Sequence, residues 1–274
     1  MTIRHLLTHS SGLGYWTPQT ETDALSAAYR AHGITPGNFY PATLARPGYG
    51  PQAQGLADMV ARLSELPLAA EPGTEWRYSV GLDVMGLVIE RASGKSLDRF
   101  AADRIFTPLG MTSTAFIVPE KARPRLTSNY TATPSGLVAL DPAASSVFLK
   151  PPGLLAGGAG LVSTARDFSR FGAMLAADGR LGRVHIAKPE TVRQARSNLL
   201  PPEVRFDGGG FGAGMRVATG GRAVHDAVGA MSWNGAAGTI WLVDPARGLN
   251  FVFMSQFMPP TAYSIWTEVA DSLR

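Results

Sequence analysis

The sequence predicts an α+β fold: a mainly helical region over about residues 1–205, then an antiparallel sheet flanked by helices over about 206–274. Three observations carry that expectation. Through the first two thirds, apolar residues recur at three- and four-residue steps, the period of helices buried along one face. From about residue 209 the spacing changes to the alternation of strands. Helices come first and strands last, which leaves no room for a repeated βαβ unit.

Thr2 is placed to cap a short helix through Ile3, Leu6 and Leu7, ended by Ser10-Ser11-Gly12. His5 and His9, four apart, would share a helical face at the spacing of two zinc ligands. No glutamate follows His5 and no third ligand stands at a recognisable spacing, so no metal is expected. Residues 21–31 read as a helix, and 33–54, rich in Gly, Pro and aromatics, as a long surface excursion of the kind that forms lids and pocket walls. Leu56, Met59, Val60 and Leu63 mark an amphipathic helix stopped at Pro67. Pro72-Gly73 makes a turn, and a helix over 81–91 follows with Leu82, Met85, Val88 and Ile89 on one face. Tyr78 lies between turn and helix, where a phenol can equally be packed in the core or presented to a cleft.

Gly94 is expected to end that helix, Ser96 to cap the next over 97–106, and Pro108-Leu109-Gly110 to close it. Residues 112–153 alternate short β-prone pieces with turns such as Thr133-Pro134-Ser135-Gly136. A glycine run, Gly157-Gly158-Ala159-Gly160, leads to a helix whose Thr164 and Asp167 have capping-box spacing. The run matches neither GxxxxGKS/T nor GxGxxG, so close backbone packing is expected rather than a phosphate cradle. Strands over 211–217, 223–226, 238–243 and 249–254 form a meander with a hairpin turn at 244–248. Ile265, Val269 and Leu273 give a C-terminal helix an apolar face to cover that sheet.

With 274 residues and 45% hydrophobic content, the chain can bury a sizeable core. Its 25 basic and 21 acidic residues are scattered, without basic runs or aromatic interleaving, so nucleic acid is not an expected partner. The absence of cysteine excludes disulfide and thiolate chemistry. No window approaches eighteen apolar residues, and residues 1–9 lack an apolar run with a cleavage site. The chain as it stands therefore reads as soluble and cytoplasmic, with no membrane partner. There is no G-x-S-x-G elbow and no HExxH, and His185 and His225 have no evident serine partner.

The segment Thr2-Ile3-Arg4-His5-Leu6-Leu7-Thr8-His9-Ser10-Ser11-Gly12-Leu13 resembles a signature of the serine β-lactamase-like family. That family groups class C β-lactamases, penicillin-binding DD-peptidases and family VIII carboxylesterases. The resemblance continues in family order through Pro72-Gly73 to Tyr78-Ser79, Ile105 to Met111, Gly157-Gly158 to Asp167-Phe168, and Trp233 to Thr239. It implies a β-lactamase/transpeptidase-like fold, one domain over 1–274, and acyl-serine chemistry without a cofactor. In that chemistry a serine and the lysine three residues later share a helix face. A tyrosine from another loop moves the proton, and a strand triplet supplies an oxyanion amide. Free tyrosine and lysine both titrate near 10, so each must be perturbed to act at neutral pH. By resemblance Tyr78 is the catalytic tyrosine, Trp233-Asn234-Gly235 the triplet, and the Ala236 amide the oxyanion donor. Tyr15, Trp16 and Trp76 are candidate pocket walls.

Departures from the family pattern narrow the implied activity. The triplet has no lysine, whereas members that recognise β-lactams hold a carboxylate with a cation there. The esterase branch carries a Trp-Gly-Gly type triplet, one substitution from Trp233-Asn234-Gly235. Val80 stands where an asparagine is expected and cannot hydrogen-bond a substrate amide. The resemblance therefore implies a carboxylesterase acting on small-molecule esters. The alternatives are a β-lactamase or DD-peptidase, a non-catalytic ligand-binding member, and a metal hydrolase using His5 and His9. No serine has a lysine three residues on; Ser163 is followed by Arg166. In the family that motif lies upstream of the segment with which this chain begins. The chain is thus expected to be incomplete at its N-terminus and inactive as it stands, with homo-oligomer formation left open.

Overall fold

A helix of five residues opens the fold. In α1, Ile3–Leu7, the Thr2 hydroxyl accepts the His5 N–H at 3.3 Å, the cap expected there. The computed structural model describes residues 1–15, 23–35, 48–220, 227–259 and 268. Trp16, the expected strand over 223–226 and the C-terminal helix of Ile265, Val269 and Leu273 lie outside the described residues. The start of α2, Ala24–Ala31, is set by Asp23, whose carboxylate accepts the Leu25 N–H at 2.8 Å. The excursion after it is closed at its base, where Gly50 N–H reaches Arg30 O (2.9 Å) and Ala53 N–H reaches Gly33 O (3.0 Å). At the described ends of this excursion Ile34, Thr35 and Ala53 are buried, while Gly48, Pro51 and Gln54 are exposed as a surface segment would be.

α3, Gly55–Leu63, buries Leu56, Met59 and Leu63 as its spacing predicts. α4, Gly81–Ser93, ends at a left-handed Gly94, also as expected. Its deepest face differs from the expected stripe. Gly81, Asp83 and Gly86 are fully buried, while Val84, Met85, Leu87 and Ile89 are only partly so. A Cβ on Gly86 would stand 3.0 Å from Leu56 and 3.1 Å from Leu97, so the tightest helix contact follows the small residues. α5, Leu97–Ala101, widens into a π-helix over Ala102–Phe106 and closes at Gly110 after Thr107–Leu109. Ser96 makes no side-chain cap; Glu90, on α4, accepts the Leu97 N–H at 3.0 Å instead.

β1, Asn129–Thr133, and β2, Gly136–Asp141, form a hairpin about the expected Pro134-Ser135 turn. α6, Ala165–Ala176, is capped by Thr164, which accepts the Asp167 N–H at 3.2 Å. The capping box is not reciprocal. Asp167 turns away to accept Ser113 N–H (2.7 Å) and Thr114 Oγ1–H (3.1 Å), tying that loop to the helix. β3, Arg180–Leu181, pairs with β4, Val184–His185, before α7, Pro189–Ala195.

Among the described residues the main sheet is a five-stranded antiparallel meander of β5, Gly210–Phe211, β6, Arg216–Val217, β7, Met231–Gly235, β8, Thr239–Asp244, and β9, Leu249–Met254. Two expectations need correction. Residues 211–217 are not one strand but the two arms of a hairpin, folded where Gly212 N–H binds Met215 O at 2.8 Å. The glycines at 212 and 214 remove the side chains that would hold a continuous strand. The second concerns the strands read from alternation, which omit β7 at 231–235 because exposed Asn234 and Gly235 obscure the pattern, although the resemblance places a strand triplet at Trp233-Asn234-Gly235. The turn over 244–248 forms as expected, with Asp244 Oδ1 accepting Ala246 N–H (3.0 Å) and Arg247 N–H (3.3 Å). α6 packs on β8 and β9. Beneath it Phe106, Leu109, Met174, Met231, Trp241 and Val243 form one core; Leu6, Tyr29, Ile34, Leu56, Met59 and Val80 form another among the first four helices. The α+β class holds. Among the described residues no helix is long and apolar enough to cross a membrane.

Candidate active site

The segment leading to Tyr78 is stitched to the N-terminal signature. Gly73 N–H binds Ser10 O (2.7 Å), Arg77 N–H binds His9 O (2.8 Å) and Val80 N–H binds Gly14 O (3.0 Å). Gly12 makes the approach possible. Its φ is +78°, and a Cβ there would fall 2.0 Å from Ala70 O. The backbone on both sides of Tyr78 is therefore fixed before α4 begins at Gly81.

Among the described residues four rings surround the phenol. His9 lies 4.5 Å away between centroids, Tyr15 4.8 Å, Trp233 5.9 Å and Trp76 6.3 Å. Trp233 is nearly parallel to Tyr78, at 22°. Burial pushes the Tyr78 phenol above its ordinary range, the Trp233 donor pulls it back, and the Asp83 charge raises it again. Burial also raises Tyr15, with smaller contributions from Tyr78 and Asp83. Both phenols are protonated at neutral pH, able to hold and pass a proton. Asp83, in the first turn of α4, is pushed up to about 6 by burial, against the backbone donors of Gly158 and Gly157. Its Oδ1 accepts the Gly158 N–H at 3.1 Å, and a Cβ on Gly157 would stand 2.2 Å from Leu82 O. The glycine run thus packs backbone to backbone on α4, in keeping with the packing expectation.

The sequence-nominated residues are brought together unevenly. Tyr15, Tyr78 and Trp233 converge. Asn234 points to solvent at the end of β7, and a Cβ on Gly235 would fall 2.1 Å from Thr239 Oγ1. Ala236 lies exposed in the β7–β8 turn, and among the described residues its N–H meets no acceptor. Trp76 packs behind the phenol on Phe206 (4.6 Å) and Phe211 (5.7 Å), with its Nε1 buried and unpartnered among the described residues. His5 and His9 do not share a helical face. α1 ends at Leu7, and His9 adopts a left-handed backbone (φ +54°) that turns it into the core. Among the described residues no three His, Cys, Asp or Glu side chains converge as a metal site would need. Sequence reasoning missed His9, Asp83, Phe206 and Phe211 as neighbours of the site. Only Asp83 left a signal, a lone carboxylate in an otherwise apolar stretch of α4.

The Beta-lactamase family model matches residues 1–273. The chain belongs to the beta-lactamase family. Members of this serine hydrolase family similar to the chain include esterases and acyltransferases. Protein Rv1367c of Mycobacterium tuberculosis (strain ATCC 25618 / H37Rv) is 30% identical over 98% of this chain and 66% of its own length. Esterase EstB of Burkholderia gladioli is 32% identical over 96% of this chain and 65% of its own length. The chain therefore spans slightly under two thirds of these curated relatives. Among solved structures, EstCE1, a hydrolase with promiscuous acyltransferase activity, superposes with a TM-score of 0.70 at 24% identity, covering 94% of this chain and 67% of EstCE1. That likeness establishes the fold of the family.

Proposed function

We propose that this chain carries the tyrosine and strand walls of a carboxylesterase site that works on small esters through an acyl-serine intermediate. One observation carries the reading: the Trp233 indole lies nearly parallel to the Tyr78 ring, at 22° and 5.9 Å between centroids, so the triplet position faces the phenol with an indole and not a cation. An indole offers a neutral donor and an apolar face where a carboxylate-bearing β-lactam needs a cation. A short acyl ester needs no counter-ion. In the proposed mechanism Tyr78, protonated at rest, relays the proton: the lysine that the family pairs with the nucleophile takes the proton of the serine hydroxyl, Tyr78 gives its own to the leaving alcohol, and the lysine restores it. The Ala236 N–H meets the oxyanion, and Tyr15 and Trp76 bound the acyl pocket. The esterase named among the relatives supports the same substrate class.

None of the serines in these 274 residues has a lysine three residues on, so this chain by itself is not expected to form an acyl-enzyme. The same fact favours a second reading, a non-catalytic member that binds a carbonyl ligand in this cleft. Incubation with a fluorophosphonate probe tests the point by mass spectrometry. No stoichiometric label is expected, and labelling of any serine between 1 and 274 would overturn it. Substrate class is tested on the full gene product with aryl acetates and a cephalosporin. Losing one charge-assisted hydrogen bond costs about 1.5–3 kcal/mol, so kcat/KM should favour the esters by roughly 10- to 100-fold. Efficient cephalosporin turnover with feeble esterase activity would refute the assignment. A full gene product that binds aryl esters but hydrolyses neither substrate would leave the second reading standing.

A further inference from the structure

We infer that His9 is the positioning residue of Tyr78: its backbone and its imidazole together clamp the residues on both sides of the phenol and hold the ring under Trp233. Four observations meet there. The His9 carbonyl accepts the N–H of Arg77, the residue before Tyr78, at 2.8 Å. His9 Nδ1 accepts the N–H of Ser79, the residue after it, at 3.2 Å. The Ser79 hydroxyl accepts the Gly81 N–H at 3.2 Å, which leaves its own proton to point at His9 Nδ1, 3.0 Å away. The imidazole ring packs on the Tyr78 ring at 4.5 Å and, from behind, on Phe211 at 5.4 Å and Trp76 at 6.0 Å.

The backbone of His9 is in the left-handed region, at φ +54°, an uncommon conformation for a residue other than glycine. Such a conformation is held by its surroundings, and here the surroundings include the chain segment that carries Tyr78. Because Ser79 N–H can only donate, Nδ1 must be an acceptor, and the ring proton sits on Nε2. Burial holds the imidazole down at about 4, so it stays neutral and the clamp stays closed through the neutral range. The catalytic meaning of the clamp rests on the ester-hydrolase reading of Tyr78; the clamp itself does not.

The test needs no turnover, so it can fail while the esterase reading stands, and the reverse. In the full chain labelled with 15N-histidine and 13Cζ-tyrosine, His9 is expected as the neutral Nε2–H tautomer from pH 5 to 8. An Nδ1–H tautomer, or an imidazolium in that range, would overturn the clamp. His9→Gly accepts the left-handed backbone without strain and removes only the imidazole. It should move the Tyr78 13Cζ resonance, assigned by its loss in Tyr78→Phe, and the Trp233 indole N–H resonance, leaving the other six tyrosines in place. His9→Asn, which tolerates the same backbone and restores an acceptor, should return both resonances toward wild type. A folded His9→Gly protein with both resonances unmoved refutes the proposal, and so does a shift that spreads to all seven tyrosines. Should His9→Gly fail to fold, Ser79→Ala decides. It must shift the His9 Nδ1 and Tyr78 Cζ resonances together, and an unmoved Tyr78 resonance would sink the inference.

Discussion

At Asp83 burial and position oppose each other most strongly. The residue is 2% exposed, sits beside the two phenols of the site, and accepts the Gly158 N–H. Burial raises its carboxyl from 3.8 to about 6, with the backbone donors of Gly158 and Gly157 opposing. A carboxyl raised on folding stabilises the fold through its neutral form. That contribution is complete below pH 3.8 and is lost as pH rises through about 6. Two pH units correspond to roughly 3 kcal/mol. Asp83→Asn keeps an acceptor for the glycine amide and cannot ionise. The Tm of this variant minus that of wild type should therefore grow in the variant's favour between pH 4 and pH 7. A difference that stays constant over that range would contradict the assignment. The ionised carboxylate also helps hold Tyr15 and Tyr78 above their ordinary values, so charge at residue 83 and proton affinity at the site are linked.

The contact between α4 and the glycine run shows how an element positions the site. A Cβ on Gly157 would come within 2.2 Å of Leu82 O, a backbone atom that cannot rotate away, while a Cβ on Gly158 would stand 3.3 Å from a carboxylate oxygen. Gly157→Ala should therefore cost about 1–3 kcal/mol by forced overpacking, and lower Tm by roughly 2–4 °C per kcal/mol. Gly158→Ala should cost clearly less. Equal losses in parallel melts would show that the loop is not seated on the helix backbone. Sequence reading anticipated packing here because the glycines match no phosphate motif. It succeeded at several places where the cause is local: the Thr2 cap, the stripe of α3, Gly94, and the Asp244 turn. It failed at α5, whose cap comes from Glu90 on the preceding helix, and at residues 211–217, where two glycines fold one apolar run into a hairpin. His9 was illegible for a stronger reason. Its partner Ser79 lies 70 positions away, and its left-handed backbone leaves no trace in composition. Tyr78 and Trp233 were named through family resemblance; neither periodicity nor spacing singles out either one.

At the scale of the whole molecule, the main sheet has an unresolved physical demand along β9. Among the described residues β9 pairs only with β8, through six registered positions from Thr239↔Met254 to Asp244↔Leu249, and no strand lies along its outer side. All six of its residues are partly buried, and Phe251, Val252 and Phe253 are large and apolar. An edge of that length and hydrophobicity, without a charge, proline or bulge to blunt it, is a template for another strand. The chain studied by itself should therefore self-associate through this edge. Phe253→Lys places a charge on the edge strand while leaving Val252, which packs into the core beneath α6, untouched. Light scattering after size exclusion should show oligomers or aggregate for the chain of residues 1–274, shifting toward monomer in Phe253→Lys. Association through any other surface would be indifferent to this substitution. A monodisperse, cooperatively melting wild-type monomer would show that the β9 edge is already satisfied within the chain.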